Sequence, residues 1–318
     1  MSTASGAGGM TGSEMTALID AAMLEQMYHY QPIVWTAAMF AGLFGVVTLA
    51  MVLLNVRWPG RSVMYVIVAT GAMEVLGYGL RVLCIYQPSK GVYIGTTCLL
   101  LISPVVLAFV NYVIVGDLLR ASGVRLWIIN PDYLAKMFLA SDIVCLIVQG
   151  GGGGLMASNS TQMFNIGRAL VLFGLALQMC FFTCFTVITT VIALKEKYML
   201  KYAPQLRAVF AGLLSTIILM YIRNIYRIIE FGSGSDSYLV QNEWVFYVFE
   251  SAPIFLAFNC YGIFHFGRTL EFTEPGHKTP LWLEQVQAAK DTHGNGNDGS
   301  DAAAASQGFD VELSAMAS

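Results

Sequence analysis

Residues 220–230, with the sequence MYIRNIYRIIE, place three charged side chains inside an apolar run that begins near Phe210. Arg223, Arg227 and Glu230 stand at positions i, i+4 and i+7, so they share one face of a helix. Charge is costly in the hydrocarbon of a bilayer, and membrane helices turn such residues toward other helices or water. The stretch therefore predicts a membrane helix with a polar stripe that faces the protein interior.

Two other apolar segments carry polar side chains at a similar spacing. They are Glu74, Tyr78 and Arg81 in the first segment, and Glu243, Tyr247 and Glu250 in the second. Each segment is long enough to cross a bilayer. Three polar stripes on three helices predict one shared polar interior.

The composition is that of a membrane protein. Of the 318 residues, 56% are hydrophobic and only 12% are charged, whereas soluble proteins contain about a quarter of charged residues. The net charge of −3 is too small to indicate nucleic-acid binding, so no nucleic-acid partner is expected. The cysteines form no C-x-x-C pair, and we interpret those in apolar runs as packing residues.

Seven apolar runs have about the twenty residues that a bilayer requires. They lie near 33–54, 62–83, 93–118, 133–149, 164–194, 207–230 and 243–266. This pattern predicts an all-α polytopic membrane protein whose bundle of seven transmembrane helices occupies residues 32–268. The segment 1–31 is expected to be mostly disordered, with mild helical periodicity from Thr16 to Tyr30, and 269–318 is expected to be a disordered tail.

Basic residues predict the orientation of the bundle, because they concentrate in cytosolic loops. The loops after spans 1, 3 and 5, their flanking turns and the C-terminal tail contain Arg57, Arg61, Arg120, Arg125, Lys136, Lys195, Lys197, Lys201, Arg207, Arg268, Lys278 and Lys290. The opposite side contains Lys90 alone. The N-terminus is therefore predicted outside and the C-terminus in the cytosol. Asn159 begins an Asn-Ser-Thr sequon in a loop predicted outside, and is a candidate for N-glycosylation.

Counting the helical rise along each span places most of the intramembrane polar residues, including Arg168, in the outer half of the bundle. The candidate substrate path consists of Glu74, Tyr78, Arg81, Asp142, Gln149, Gln178, Arg223, Arg227, Glu230, Glu243, Tyr247 and Glu250. Two interpretations stay open. These residues form either a lattice of ion pairs that only sets helix register, or a cavity, open at the outer leaflet, that recognises an amphipathic molecule.

Glycine and proline interrupt some of the spans. The run Gly150–Gly154 is interpreted as a flexible turn; no Lys-Ser/Thr follows it, as would be needed for a phosphate-binding loop. Pro104 and Pro253 lie inside spans 3 and 7 and predict kinks there.

Six blocks of sequence resemble one known family. They are EVLGYGLR from Glu74, SPVVLAFVNY from Ser103, SDIVCLIVQGGGG from Ser141, FGLALQ from Phe173, IRNIYRIIE from Ile222 and EWVFYVFESAP from Glu243. The chain resembles the fungal lipid-translocating exporters, a seven-span group that includes 7-aminocholesterol-resistance proteins and sphingoid long-chain-base exporters. The blocks cover every span from 2 to 7 in order. At Glu250 the family usually has Asp.

The resemblance implies export or transbilayer movement of lipid-like or amphiphilic compounds, such as sphingoid bases or sterols, at the plasma membrane. Resistance to toxic lipids or drugs is the implied phenotype. The expected partners are membrane lipids and an amphiphilic small molecule, with no cofactor, no metal and no enzymatic activity. Because no nucleotide-binding motif is present, active transport would need an ion gradient, and we hypothesise that Glu74, Asp142 or Glu250 exchanges protons.

Other seven-span classes have weaker support. A receptor or sensor of a lipid-like ligand is the alternative, but residues 116–120 read GDLLR where many receptors have an Asp/Glu-Arg-Tyr triplet, and span 7 has no Asn-Pro-x-x-Tyr motif. Span 7 also has no lysine for a retinal Schiff base. A metal-dependent lipid hydrolase needs several His and Asp ligands, and of four histidines only His265 lies near the end of a span.

Overall fold

The computed structural model describes residues 12–28, 30–57, 62–121, 131–156, 158, 160–194, 204–233 and 237–264. All regular elements in these ranges are helical. The first seven helices are α1 (Gly12–Tyr28), α2 (Val34–Arg57), α3 (Ser62–Tyr86), α4 (Lys90–Ala121), α5 (Pro131–Met156), α6 (Thr161–Leu194) and α7 (Pro204–Ser233). After the short α8 (Tyr238–Gln241), the last crossing consists of α9 (Glu243–Phe246), a π-helical turn (Tyr247–Ser251) and α10 (Ala252–Phe264).

Within the described ranges, seven crossings, α2 to α7 and the last one, are long and apolar enough to span a membrane. Their outward faces carry large apolar side chains such as Trp35, Val46 and Ile147, which are 83%, 70% and 68% exposed. An exposed apolar surface of this extent is stable in lipid and unfavourable in water. The prediction of an all-α bundle with seven membrane-spanning helices is confirmed.

Helices that follow one another in the chain pack side by side, and α10 packs against both α7 and α2. Helix α4 is the most buried crossing among the described residues, and it contacts α3, α5, α6 and α7. Its Leu107, together with Phe44, Phe185 and Phe258 from other helices, belongs to the apolar core. This apolar core therefore holds together the helices that carry the polar residues.

The glycine run is helical, so its interpretation as a flexible turn is wrong. Helix α5 continues through Gly150–Gly154 to Met156. A Cβ atom on Gly152 would lie 2.6 Å from the carbonyl oxygen of Gly167 on α6, and one on Gly167 would lie 2.5 Å from the carbonyl oxygen of Gly152. Membrane helices approach this closely where small residues face each other, and this contact explains why the helix persists.

The last crossing changes its winding next to a proline. Pro253 lies in the first turn of α10, directly after the π-helical turn, and it has no backbone N–H to donate to that turn. Such turns are rare and frequently occur at functional sites. This one buries the side chains of Tyr247, Glu250 and Ser251. Helix α4 runs through Pro104 without ending, and the kinks stay predictions.

The N-terminal segment contains helix α1 (Gly12–Tyr28), which overlaps the stretch of helical periodicity from Thr16 to Tyr30. Tyr28, at the end of α1, is 6% exposed and packs edge-on against Tyr93 of α4, with ring centroids 5.0 Å apart. Burial of this aromatic ring anchors α1 to the bundle. Asn159 and the segments 1–11 and 265–318, to which other predictions refer, lie outside the described residues.

Candidate functional site

The site lies at one end of the bundle, where α1, the end of α3, the start of α6 and the end of α7 meet. We call this the N-terminal end. Polar side chains from α3, α7 and the last crossing form two ion-pair networks here, and a cavity lies beside them.

The first network is centred on Glu250 in the π-helical turn. Its Oε1 accepts hydrogen bonds from Nη2 of Arg223 at 2.8 Å and from Nη2 of Arg227 at 2.7 Å. Its Oε2 accepts from Nε of Arg227 at 2.9 Å. Because Arg223 and Arg227 are one helical turn apart on α7, both guanidiniums reach the same carboxylate.

Glu230 extends this network toward the N-terminal end. Nη1 of Arg227 donates to Oε2 of Glu230 at 3.1 Å, and the hydroxyl of Tyr226 donates to Oε1 at 3.3 Å. The side chain of Glu230 is 20% exposed, whereas that of Glu250 is 1% exposed. The network thus passes from a fully enclosed ion pair to a carboxylate near open space.

The second network joins Arg81 of α3 to Glu243 at the start of α9. Nη2 of Arg81 lies 3.6 Å from Oε1 of Glu243 and donates to the hydroxyl of Tyr30 at 2.5 Å. Glu243 also accepts from the backbone N–H of Ile33 at 2.8 Å and from the hydroxyl of Tyr247 at 3.2 Å. This network fixes the chain before α2 against the last crossing.

Aromatic rings surround the guanidinium of Arg81. Its Cζ lies 4.7 Å from the ring centroid of Tyr28 and 4.7 Å from that of Phe246, distances at which the cation is attracted to the rings. Burial raises the pKa of Tyr30 above its ordinary value, although the adjacent Arg81 lowers it, and burial likewise raises the pKa of Tyr28. Both hydroxyls therefore stay protonated near neutral pH.

Phe246 connects the two networks, because its ring centroid is also 5.9 Å from Cζ of Arg227. Tyr78 lies nearly one helical turn before Arg81 on α3, and its hydroxyl donates a hydrogen bond to the hydroxyl of Ser251. The ring of Tyr78 stacks on Phe44 with centroids 5.6 Å apart. Tyr78 and Tyr247, which the i, i+4 spacing groups with the charged residues, thus belong to the same assembly.

Glu74 is enclosed but makes no hydrogen bond in the described structure. It is 0% exposed, and neither of its carboxylate oxygens has a partner. The hydroxyl of Ser103 on α4 lies close to Glu74, but the two groups do not meet with the geometry of a hydrogen bond. Arg223 and Arg227 are close enough to Glu74 to interact electrostatically. Their side-chain hydrogen bonds go instead to Glu250, with one more from Arg223 to Asn224 and one more from Arg227 to Glu230.

Asp142, Gln149 and Gln178 lie apart from these networks. Asp142 accepts a hydrogen bond from Tyr112 at 2.7 Å, and Nε2 of Gln149 donates to Oε1 of Gln178 at 2.9 Å. Asp142 and Gln178 line a separate cavity of about 10 Å³, a volume comparable to the smallest that holds one water molecule. The structure therefore does not bring all the predicted path residues into one chamber.

The larger cavity, of about 180 Å³, opens beside the two ion-pair networks. Of the predicted path residues, only Arg81, Arg227 and Glu230 line it. The rest of its polar wall is formed by Arg168, Tyr28, Tyr30, Tyr93, Tyr226, Thr96 and Thr97. Apolar side chains, including Leu100, Phe164, Leu239 and Phe246, complete the wall. We call it the terminal cavity.

Sequence reasoning missed several residues of this site. Tyr28 and Tyr30 precede the first span, and no helical spacing links their positions to the polar stripes. Outside the site, Tyr112 donates to Asp142, and its place at the end of the SPVVLAFVNY block is the one sequence signal that points to it. Across the described ranges, no three His, Cys, Asp or Glu side chains converge as metal ligands would.

Comparisons with known proteins identify the family. The family described as RTA1 like protein matches residues 67–272. Three relatives come from Saccharomyces cerevisiae. The uncharacterized membrane protein YLR046C is 29% identical over 213 residues, covering 63% of this chain and 77% of the relative. Protoporphyrin uptake protein 1 is 30% identical over 197 residues, covering 60% and 64%.

The third relative, the sphingoid long-chain base transporter RSB1, is 25% identical over 271 residues, covering 70% of this chain and 71% of the relative. No solved structure matches the chain. These matches confirm the resemblance to the fungal lipid-translocating exporters. Because the family match extends over more than half of its residues, this chain belongs to the RTA1-like protein family.

Proposed function

We propose that this protein is a membrane transporter of lipid-like or amphiphilic compounds. The polar headgroup of the compound enters the terminal cavity and passes along the ion-pair networks, while its apolar chain stays in the surrounding lipid. The polar surface for this movement is provided by the candidate path residues that form the two networks or line the cavity, namely Arg81, Arg223, Arg227, Glu230, Glu243 and Glu250.

The observation that carries the proposal is the mixed wall of the terminal cavity. Charged and hydroxyl groups from Arg81, Arg168 and Thr96 share the wall with apolar side chains such as Leu100 and Phe164. A wall of this kind provides hydrogen bonds for a headgroup and apolar contacts for the first part of a chain. A lattice that served only to set helix register would not require such a space beside it.

The names of relatives support the same class of function. One relative is named as a transporter of sphingoid long-chain bases and another as a protoporphyrin uptake protein. A sphingoid base and a porphyrin are both amphiphiles, with headgroup charges of opposite sign. The shared property is therefore an amphiphilic cargo, and resistance to toxic lipids or drugs is the proposed consequence of moving it.

The orientation and energy source belong to the proposal. With the N-terminus outside the cell, the terminal cavity would lie at the outer leaflet of the plasma membrane. Transport against a gradient would then use a proton gradient, with Glu74 as the group that exchanges the proton. Glu74 is suited to this because it is enclosed and its carboxylate is free of hydrogen bonds within the described structure. The proposed activity is not enzymatic.

Blocking the terminal cavity tests the proposal. Thr97 lines the terminal cavity, so the phenyl ring of Thr97→Phe would fill it. This change removes no ion-pair partner. Cys98→Phe is the matched control, because the neighbouring side chain is exposed on the outer surface of the same helix. Reconstituted vesicles would be supplied with fluorescent single-chain lipids bearing anionic, neutral and cationic headgroups, and leaflet exchange would be followed by chemical quenching.

The proposal expects the parent protein and Cys98→Phe to move at least one of these lipids, and Thr97→Phe to move none. Thermal unfolding of each variant shows that it is folded. Normal transport by folded Thr97→Phe would reject the cavity as the path. Binding of a lipid by the parent protein without movement would instead favour a receptor or sensor.

A further inference from the structure

The charges on the wall of the terminal cavity are unbalanced. Three guanidiniums, those of Arg81, Arg168 and Arg227, face it together with one carboxylate, that of Glu230. Arg227 is already neutralised, because it pairs with both Glu230 and Glu250. Arg81 pairs with Glu243 outside the wall, at 3.6 Å, so the net positive charge of the cavity comes from Arg168, while Arg81 contributes hydrogen-bond donors.

Arg168, near the start of α6, has no carboxylate partner among the described residues. Its Nε donates to the carbonyl oxygen of Phe231 at 2.6 Å, and its Nη2 donates to that of Gly232. These carbonyls belong to the last turn of α7, where the helix dipole supplies only a fractional negative charge. Arg168 is half-buried, and most of its positive charge is not neutralised by these carbonyl groups.

Three buried hydrogen-bond donors in the same wall lack acceptors. Nε of Arg81, the hydroxyl of Tyr28 and the hydroxyl of Thr96 have no partner within the described part of the chain. All three residues line the terminal cavity, and they are 3%, 6% and 2% exposed. Buried donors without acceptors are unfavourable, so a ligand whose acceptor oxygens reach these three covered atoms would be stabilised here.

The same wall disfavours a cationic headgroup. Arginine has no acceptor atom and no neutral form in proteins, so neither Arg81 nor Arg168 can accept a hydrogen bond from an ammonium group, and the uncompensated charge of Arg168 would repel it. The one carboxylate in the wall that could pair with an ammonium group is that of Glu230, which already accepts hydrogen bonds from Arg227 and Tyr226. A phosphate or carboxylate would instead meet two guanidiniums and two hydroxyls, and hydrogen bonds between charged groups are the stronger kind.

The size of the cavity limits what it can enclose. Its volume of about 180 Å³ is below the roughly 300–1,000 Å³ of pockets that enclose a drug-sized ligand. It would hold a headgroup and the first part of a chain, in contact with Leu100, Phe164 and Leu239.

We propose that the terminal cavity binds the anionic headgroup, a phosphate or carboxylate, of a single-chain amphiphile, through Arg81, Arg168, Tyr28 and Thr96. This deepens the proposed function, on which it rests, by assigning the cargo to amphiphiles with negatively charged headgroups. It makes Arg168 the residue that determines headgroup charge.

Three probes with the same hydrocarbon chain test the proposal: oleyl phosphate, oleyl alcohol and oleylamine. The full-length protein is placed in nanodiscs of phosphatidylcholine, which adds no competing anionic lipid, and the binding of each probe is titrated calorimetrically. Oleyl phosphate is expected to bind at least about tenfold more tightly than the alcohol, and oleylamine is expected to bind most weakly. Equal affinities for the phosphate and the amine would overturn the proposal.

Inorganic phosphate separates an amphiphile site from a simple anion site. The proposal expects it to bind far more weakly than oleyl phosphate, because the apolar wall then contributes nothing. If inorganic phosphate bound as tightly as oleyl phosphate, the assignment to an amphiphile would be wrong.

Variants assign the effect to Arg168. Arg168→Gln should weaken the binding of oleyl phosphate about tenfold and leave the binding of oleyl alcohol unchanged, whereas Arg168→Lys should restore much of the preference. Lys90→Gln is the matched control, since it removes one positive charge at the same end of the bundle from an exposed residue outside the cavity wall. An Arg168→Gln protein that binds oleyl phosphate as the parent does would contradict the role of Arg168. If Arg168→Gln fails to fold, the three probes on the parent protein still decide the headgroup charge.

This binding measurement needs no transport, so the two proposals can fail separately. A protein that binds oleyl phosphate selectively without moving it would defeat the proposed function and support the headgroup assignment. A protein that moves all three probes equally would defeat the headgroup assignment and support the proposed function.

Discussion

Arg227 and Glu250 form a two-point ion pair between α7 and the last crossing, with Nε 2.9 Å from Oε2 and Nη2 2.7 Å from Oε1. Arg227 is 5% exposed and Glu250 is 1% exposed. Arg223 donates to the same carboxylate from one turn away. The pairing therefore ties the packing of two crossings to the shape of the terminal cavity, whose wall includes Arg227.

Removing the charge of Glu250 should destabilise the protein. Glu250→Gln leaves Arg223 without its carboxylate partner and Arg227 with Glu230 alone, and breaking a buried ion pair in this way costs about 3–5 kcal/mol of unfolding free energy. Denaturant unfolding in detergent would measure the loss. The control is Glu25→Gln on an exposed position of α1, which should be neutral. A Glu250→Gln protein as stable as the parent would show that the pair does not hold the helices together.

The two adjacent glycines on α5 predict opposite outcomes. Gly152→Ala would place Cβ 2.6 Å from the backbone of α6, and we expect a loss of about 1–3 kcal/mol because the helices must separate. A Cβ atom added to Gly153 would meet nothing within 4 Å. Gly153→Ala should therefore be neutral or stabilise the helix by up to about 1 kcal/mol. Equal unfolding midpoints for the two variants would argue against the close α5–α6 contact.

Glu74→Gln should behave differently from Glu250→Gln. No hydrogen bond of the described structure is lost, because neither carboxylate oxygen of Glu74 has a partner. The unfolding free energy should stay within about 1 kcal/mol of the parent or rise, since a buried ionisable group becomes neutral.

Transport is expected to respond to Glu74→Gln even though stability does not. Amphiphile movement driven by an imposed proton gradient should fall to the level of protein-free vesicles, while exchange without a gradient persists. The control is the parent protein in the same vesicles with the gradient collapsed. Gradient-driven movement at the parent rate would exclude Glu74 as the proton-exchanging group.

Glycosylation tests the predicted orientation. If the N-terminus lies outside, the loop that contains Asn159 faces the lumen of the secretory pathway, and its sequon is available for modification. We expect Asn159→Gln to abolish an enzyme-sensitive shift in gel mobility. The opposite orientation would be indicated if new sequons added to the N-terminal segment stayed unmodified while those added to the C-terminal tail were glycosylated.

The number and class of the helices could be predicted because long apolar runs contrast strongly with charged loops. The end of span 4 could not be predicted, since glycine disfavours helices in water and a run of glycines predicts a turn. In the bundle, the same lack of a side chain lets Gly152 approach Gly167. This close contact between two helices outweighs the intrinsic preference of the residue.

The candidate site was only partly predictable for a similar reason. Spacing identified the faces that carry Arg223, Arg227 and Glu250, but it could not indicate which carboxylate each guanidinium would contact. Tyr28 and Tyr30 pack around Arg81 through contacts between distant parts of the chain, and such contacts have no periodicity. The sequence placed Arg168 in the outer half of the bundle, but only the cavity wall shows its relation to Arg81.

A density map of the protein in nanodiscs with oleyl phosphate tests the central claim most directly. The account predicts an elongated density whose headgroup lies in the terminal cavity beside Arg81 and Arg168, with its chain extending toward the surrounding lipid. A map in which a protein active in transport binds the amphiphile elsewhere, with only solvent in the terminal cavity, would contradict the account.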